Sequence, residues 1–341
     1  MSAWLAVIGL GEDGWSGLSG AARGLIETAE LVVGGARHLA LVPSFAGERL
    51  VWRSPLAETL PEIERRRGRR VAVLASGDPL CYGVGALLAR RFERDEMIVL
   101  PSPSAFSLAA ARLLWPLESC RCLSLHGRPL EKLRLHLAPG ARLLALSEDG
   151  TTPAKVARLL REGGWGQSAM GVFEHLGGAK ERRCDGLAAA WSEERMADLN
   201  LLALECRPGP GAMLLSRRAG LPDDAFRHDG QLTKRAIRAA TLAALAPLPG
   251  ELLWDIGAGS GSIAIEWLRS EHGMRAIAIE RAAPRAAFIA ENAAQLGVPE
   301  IEIVQQTAPA ALAALPQPDA VFIGGGGGDA AIWDAAWRAL K

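Results

Sequence analysis

Lysine is scarce in this chain: only five of its 38 basic residues are lysine, and the rest are arginine. Acidic side chains also number 38, so the formal net charge is zero, and neither half is strongly polarised. A surface built for nucleic acid is therefore not expected. Long apolar runs are missing too. None reaches the roughly 18 residues of a membrane helix, and residues 1–20 lack the basic start and apolar core of a signal peptide. These absences lead us to expect no membrane partner and a cytoplasmic location. The five cysteines (Cys81, Cys120, Cys122, Cys184, Cys206) form no CxxC pair, and the six histidines no HExxH pair. Neither a disulfide framework nor a metal site is expected. What the chain has in quantity is apolar material, 49% against 22% charged, which excludes disorder; its 341 residues exceed what one core holds and suggest two domains.

Short apolar runs closed by Gly or Pro alternate with longer Ala/Leu/Arg segments, the pattern of an α/β protein. Strands are expected at Trp4–Gly9, Leu31–Gly34, Arg70–Leu74, Met97–Leu100, Arg121–Leu125, Ala141–Leu146, Ala169–Glu174 and Leu199–Glu205, with a helix over Ser19–Ala29. Residues 1–206 thus read as one α/β domain of two lobes. The turn-rich residues 207–225 read as a linker. The second domain, 226–341, opens with a helix over Gln231–Leu245. It continues with strands at 251–256, 275–280, 301–304 and 319–323, helices at 261–270 and 284–296, and a last helix over Ala330–Leu340. Four strands make a small sheet with an exposed edge, so this domain is expected to be incomplete at its C-terminus and weakly stable or associating through that edge.

The second domain carries the sharpest motif. The strand Glu251–Ile256 runs directly into Gly257-Ala258-Gly259-Ser260-Gly261-Ser262, and a helix follows. Glycines permit a tight turn and close approach of backbone to ligand, and the free N–H groups of the helix start lie beside it. A dinucleotide turn reads GxGxxG or GxGxxA, whereas here the sixth position is Ser262 and the third glycine falls one place early. That spacing, behind Asp255, favours S-adenosylmethionine, which has no pyrophosphate. Glu280 ends the next strand, where a carboxylate can accept both ribose hydroxyls. Asp255 could equally cap the turn through backbone amides. His228, Asp229, Thr233 and Lys234 precede the turn and could steer substrate or a proton, but no catalytic residue is assigned. Gly324–Gly328 is explained by an open loop or a close ligand.

These residues carry a resemblance. Phe226–Arg235, the Asp255–Gly261 turn, Glu280, Ala308-Pro309 and Phe322–Gly325 resemble the decarboxylating precorrin methyltransferases of cobalamin biosynthesis. Gly9–Gly14, Val33–Arg37, Ser76–Gly83 and Pro103–Ser107 resemble the tetrapyrrole methylase family. Together the two cover nearly the whole chain, in the order of a fused bifunctional enzyme. The resemblance implies a two-lobed tetrapyrrole methylase fold followed by a Rossmann-like sheet that lacks its last strands. It implies methylation of a corrin precursor at carbon 5 by the first domain, and at carbon 15, with loss of carbon dioxide from an acetate, by the second. S-adenosylmethionine is the implied cofactor at two sites. The first is Ser76, Gly77, Asp78 and Pro79. The second is Thr233, Gly257, Ala258, Gly259, Ser260, Gly261, Glu280 and Ala308, with Gly324 and Gly325 behind. A homo-oligomer is implied as well. Thr307 departs from the acidic residue usual before Ala-Pro in that family. The rivals are a module that binds the donor or a tetrapyrrole without turnover, and a methyltransferase for another small molecule.

Overall fold

The structure, a computed structural model, describes residues 3–43 and 45–341. The chain divides into two compact units. The first is 1–126 with 140–207; the second is 127–139 with 208–341. Residues 127–139 leave the first unit as an excursion and pack on the second, where Lys132 pairs with Glu300.

The first unit holds two sheets. Strands β1 (Leu5–Leu10), β2 (Leu31–Gly34), β3 (Glu48–Val51), β4 (Val71–Ser76) and β5 (Met97–Leu100) form a parallel sheet in the order β3-β2-β4-β1-β5. Along β1, Leu5 and Val7 join one core while Ala6, Ile8 and Leu10 join another, so both faces are covered. A strand buried on both faces reads as a continuous apolar run. Helices α1 (Gly20–Glu27), α2 (Ala36–Ala40), α3 (Leu60–Glu64) and α4 (Gly85–Leu88) accompany this sheet in sequence, and α5 (Ala105–Leu113) packs on the other sheet of the unit through Phe106, Ala109 and Ala110. The second sheet is mixed: β6 (Cys120–Ser124), β7 (Arg142–Leu146), β8 (Ala169–Glu174), β9 (Arg182–Leu187) and β10 (Asn200–Glu205), in the order β6-β7-β10-β8-β9, with α6 (Thr152–Glu162).

The second unit is a four-stranded parallel sheet in the order β13-β12-β11-β14. Its strands are β11 (Leu252–Ile256), β12 (Arg275–Ile279), β13 (Glu302–Val304) and β14 (Ala320–Ile323). Helices α7 (Arg235–Leu245), α8 (Ser262–Ser270), α9 (Ala283–Gln295) and α10 (Ala330–Ala339) accompany them. Leu252, Trp254 and Ile256 face one core, which includes Ile332 of α10; Leu253 faces the other, with Ile263 and Trp267 of α8. The first helix begins at Arg235, four residues later than its composition suggested. The Asp229 carboxylate accepts the Gln231 N–H at 3.1 Å, which keeps this stretch in a turn, and Thr233 therefore lies in a loop rather than on a helix.

Candidate active site

Parallel strands deliver their carboxyl ends to one edge of a sheet, and a turn there can form the floor of a ligand crevice. In the second unit β11 ends in the glycine turn. The N–H groups of Gly257 and Ala258 both donate to the Ile279 carbonyl of β12, at 2.8 and 3.1 Å. On the other side the N–H groups of Gly324 and Gly325 donate to the Ile256 carbonyl at 2.8 and 3.3 Å. Ser260 is fixed from below by Asn292 of α9, whose Nδ2 donates to its carbonyl at 2.9 Å.

Thr233, Gly257, Ala258, Gly259, Ser260, Glu280, Ala308, Gly324 and Gly325 all border one cavity of about 650 Å³, and Gly261 stands outside its lining as the N-cap of α8. Glu280 is buried, and its two oxygens accept one amide each: Gly259 N–H on Oε2 and Ala282 N–H on Oε1, both at 2.9 Å. Each carboxylate oxygen has two lone pairs, so a ligand's hydroxyls can still be accepted. Glu280 therefore joins the glycine turn to the start of α9 and presents acceptors beside both.

Asp255 has a different place. It is 1% exposed, and its Oδ2 accepts the Ala264 N–H at 3.1 Å, which caps α8 from the neighbouring strand; its Oδ1 has no partner. Burial pushes its pKa from the ordinary 3.8 up to about 7, against the Ala264 hydrogen bond and with a smaller push from the Glu280 charge. A folded-state pKa above the unfolded one means that the folded chain holds a proton the unfolded chain has released. Stability from this group is complete below 3.8 and is lost as pH rises to about 7. Between pH 5 and pH 8 the wild type should therefore lose roughly 2–3 kcal/mol relative to Asp255→Asn. Urea unfolding of the two proteins at both pH values measures it; parallel pH dependences would show that Asp255 is ionised throughout.

The remaining polar groups of the segment before α7 are engaged locally. His228 Nδ1 accepts the Gly230 N–H at 3.0 Å and does not border the cavity. Asp229 pairs with Arg285 at 2.8 Å, and that hydrogen bond holds its carboxyl below the usual range. Lys234 is exposed at the N-cap of α7. The cavity also has walls that sequence reasoning did not single out: Gln231, Arg281, Arg285, Gln306 and Asp329. Arg281 and Arg285 follow Glu280 at the start of α9, so the strand-end carboxylate was the available signal.

In the first unit the Ser76–Pro79 loop closes β4, the middle strand of its sheet. The Asp78 carboxylate accepts the Leu80 N–H at 2.9 Å, which spends one oxygen on the turn. Ser76 Oγ accepts from Arg37 Nη2 at 2.8 Å and lies 2.9 Å from His38 Nε2. Burial, helped by the Arg37 charge, lowers the His38 pKa to about 4, so its imidazole is neutral near pH 7. Arg37 also pairs with Glu12, which follows β1, and Glu12 Oε2 lies 3.1 Å from Nδ1 of His175, which follows β8. The two sheets of this unit are thus joined by polar contacts at the ends of β1, β2, β4 and β8.

Both units match known protein families. Residues 5–190 match the family model of tetrapyrrole (corrin/porphyrin) methylases, and residues 224–341 match that of the precorrin methyltransferase domain. A Sinorhizobium protein named precorrin-6Y C(5,15)-methyltransferase [decarboxylating] is 52% identical over 342 residues, covering 100% of this chain and 83% of its own length. A Mycobacterium tuberculosis protein of the same name is 40% identical over 343 residues, covering 98% of this chain and 84% of its own length. A Salmonella typhimurium protein named cobalt-precorrin-7 C(5)-methyltransferase is 34% identical over 181 residues, 52% of this chain and 88% of its own length. A tetrapyrrole methylase unit followed by a donor-turn unit, with likeness along the whole chain, leaves one conclusion: the chain belongs to the family of decarboxylating precorrin-6Y C(5,15)-methyltransferases.

Proposed function

We propose that this chain uses S-adenosylmethionine to methylate a precorrin at carbons 5 and 15 and removes carbon dioxide from the acetate of ring C, taking precorrin-6B to precorrin-8X in cobalamin biosynthesis. The observation that carries the reading is the union of full-length likeness to decarboxylating relatives with the cavity around the glycine turn and Glu280. The first unit acts at carbon 5, in line with the name of the Salmonella relative that spans about that half; the second acts at carbon 15. The methyl donor supplies an electrophilic carbon at both sites.

The residues of the second cavity fit the donor. Glu280 takes the ribose hydroxyls, the Gly257–Gly261 turn accepts the backbone-close part of the ligand, and Thr233, Ala308, Gly324 and Gly325 close it. In the first unit the Ser76–Pro79 loop takes the equivalent part. The protein then has two tasks, to hold the ring carbon in line with the methyl carbon and to exclude water. Arg281 and Arg285 border the second cavity, and a guanidinium suits a carboxylate bidentately. They hold the side chains of the macrocycle while its conjugated ring absorbs the electron pair left by carbon dioxide, as electron-sink cofactors do elsewhere. We further propose a homo-oligomer acting in the cytoplasm, to be checked by size exclusion and cell fractionation.

Turnover is tested by incubating the protein with precorrin-6B and the donor: two equivalents of S-adenosylhomocysteine and one of carbon dioxide should form per substrate, and absence of carbon dioxide would refute the decarboxylating role. Glu280→Gln tests the site itself. Loss of charge-assisted hydrogen bonds should weaken donor binding in the second unit by about 1.5–3 kcal/mol, roughly 10- to 150-fold. Calorimetry should then resolve one normal and one weakened site. Two unchanged sites would remove Glu280 from the ribose.

A further inference from the structure

The two methylations differ in their charge balance. The sulfonium delivers a methyl group without its bonding electrons. At carbon 15 methylation displaces a hydrogen as a proton, but the electron pair that carbon dioxide leaves on the acetate carbon takes a proton up to make a methyl group, so no net proton is released there. At carbon 5 nothing departs but a hydrogen. The pair of a ring double bond forms the C5–CH3 bond, and the S–CH3 pair stays on sulfur. The C5–H pair then restores the double bond, and one proton must be taken up. Nothing in the carbon 5 reaction offsets that release, so a group able to receive the proton is required in the first unit.

We propose that His175, oriented by Glu12, is that proton acceptor. This rests on the reading that the first unit methylates carbon 5. Glu12 Oε2 meets Nδ1 of His175 at 3.1 Å, which directs Nε2 away from the carboxylate. A carboxylate behind one imidazole nitrogen fixes the tautomer and stabilises the imidazolium that forms when the other nitrogen takes a proton. The pair is partly open: the His175 side chain is 28% exposed and that of Glu12 17%. His175 also has φ +47°, a left-handed backbone that costs a residue other than glycine about 1–3 kcal/mol and clusters at functional sites.

The pair is linked to the proposed donor loop. Glu12 holds Arg37, and Arg37 donates to Ser76 Oγ at 2.8 Å. The residues therefore come from the ends of four strands in two sheets and form one polar chain that reaches the proposed donor loop at Ser76. The other charged groups around His175 are occupied. Glu174 binds Arg182 and the Ala197 N–H, and Glu181 binds Arg112 and the Gly177 N–H. His38, the other imidazole of this network, accepts from Arg37 at Nε2, 2.9 Å away, and is a poorer acceptor for a proton.

The test uses the full chain and His175→Gly, His175→Asn and Glu12→Gln, since Gly and Asn tolerate a left-handed backbone. Two quantities are read: methylation at carbon 5, and, with S-adenosylhomocysteine in place of the donor, exchange of the carbon 5 hydrogen of bound precorrin in deuterium oxide, in which a deuteron from solvent adds where the methyl group would and the hydrogen leaves as a proton to the same acceptor. Both should fall by about 100-fold or more in the His175 variants. Added imidazole should restore them in His175→Gly, and Glu12→Gln should lower them about tenfold or more. In the His175 variants donor affinity in the first unit should stay within about threefold by calorimetry, since no contact of the donor loop is removed. Activity and exchange within threefold of wild type would overturn the proposal, as would a loss matched by lost donor affinity and not rescued by imidazole. If neither His175 variant folds, Glu12→Gln decides: retained exchange overturns the pair. Wild type that releases carbon dioxide but leaves carbon 5 unmethylated would instead sink the function assigned to the first unit.

Discussion

Arg238→Met is expected to lower the unfolding free energy of the second unit by about 3–5 kcal/mol, the usual cost of stranding one partner of a buried ion pair. Arg238 is fully buried on α7. It pairs with Glu266 of α8 at 2.5 Å and Asp223 at 3.1 Å, and donates to the carbonyls of Thr233 and Leu221. The Glu266 side chain, 2% exposed, also accepts the N–H groups of Gly220 at 2.5 Å and Leu221 at 2.9 Å. Without the arginine this carboxylate keeps two amides and loses its ion-pair partner. Adding Glu266→Gln to Arg238→Met should recover part of the loss, because the remaining buried group is then neutral. The Thr233 carbonyl is held by Arg238, so the cavity wall formed by residues 230–233 should loosen and donor affinity should fall with stability. Urea unfolding and calorimetry on the three proteins check both. A loss under 1 kcal/mol would mean that the pair is hydrated in solution.

This network also marks where the sequence was legible and where it was not. Strands β1, β2, β4 and β11 are covered on both faces, so their apolar runs identified them to within a residue or two. Strands β3 and β9 were missed. They read Glu-Arg-Leu-Val and Arg-Arg-Cys-Asp-Gly-Leu, lie at sheet edges, and expose most of their side chains, so no apolar run or clean alternation announces them. Residues 127–139 gave no sign that they pack on the second unit, because that is decided by contacts distant in sequence, such as Leu135 against Gly297. At the site, turn spacing identified the cavity floor. Arg281, Arg285 and the Glu12–His175 contact were not legible, since an exposed Arg after a strand, or a Glu and a His 163 residues apart, has no local pattern. Asp255 was ambiguous between cap and ligand, and its contact with Ala264 gives it the capping role.

The three glycines of the turn look alike in sequence, yet two of them should fail in opposite ways when replaced by alanine. Gly257 has φ +71°, and a Cβ there would lie 2.6 Å from the Gly325 N and 2.7 Å from its Cα. Both are backbone atoms, so the loop after β14 must move away and the bonds from Gly324 and Gly325 to the Ile256 carbonyl must lengthen. Gly257→Ala should cost about 2–4 kcal/mol of stability, combining left-handed strain with the clash, and should weaken donor binding in the second unit by about 100-fold or more. Gly259 has φ +61°, but nothing lies within 4 Å of its would-be Cβ. Only conformational strain opposes Gly259→Ala, about 1 kcal/mol. Gly259 borders the cavity and donates its N–H to Glu280 Oε2, so a methyl group there intrudes where the donor would lie. Near-normal stability with affinity reduced by about tenfold or more is the expected result, read by thermal unfolding and calorimetry. Affinity that fell only in step with stability in both variants would mean that the open side of Gly259 faces solvent, and that the donor lies elsewhere along the sheet edge.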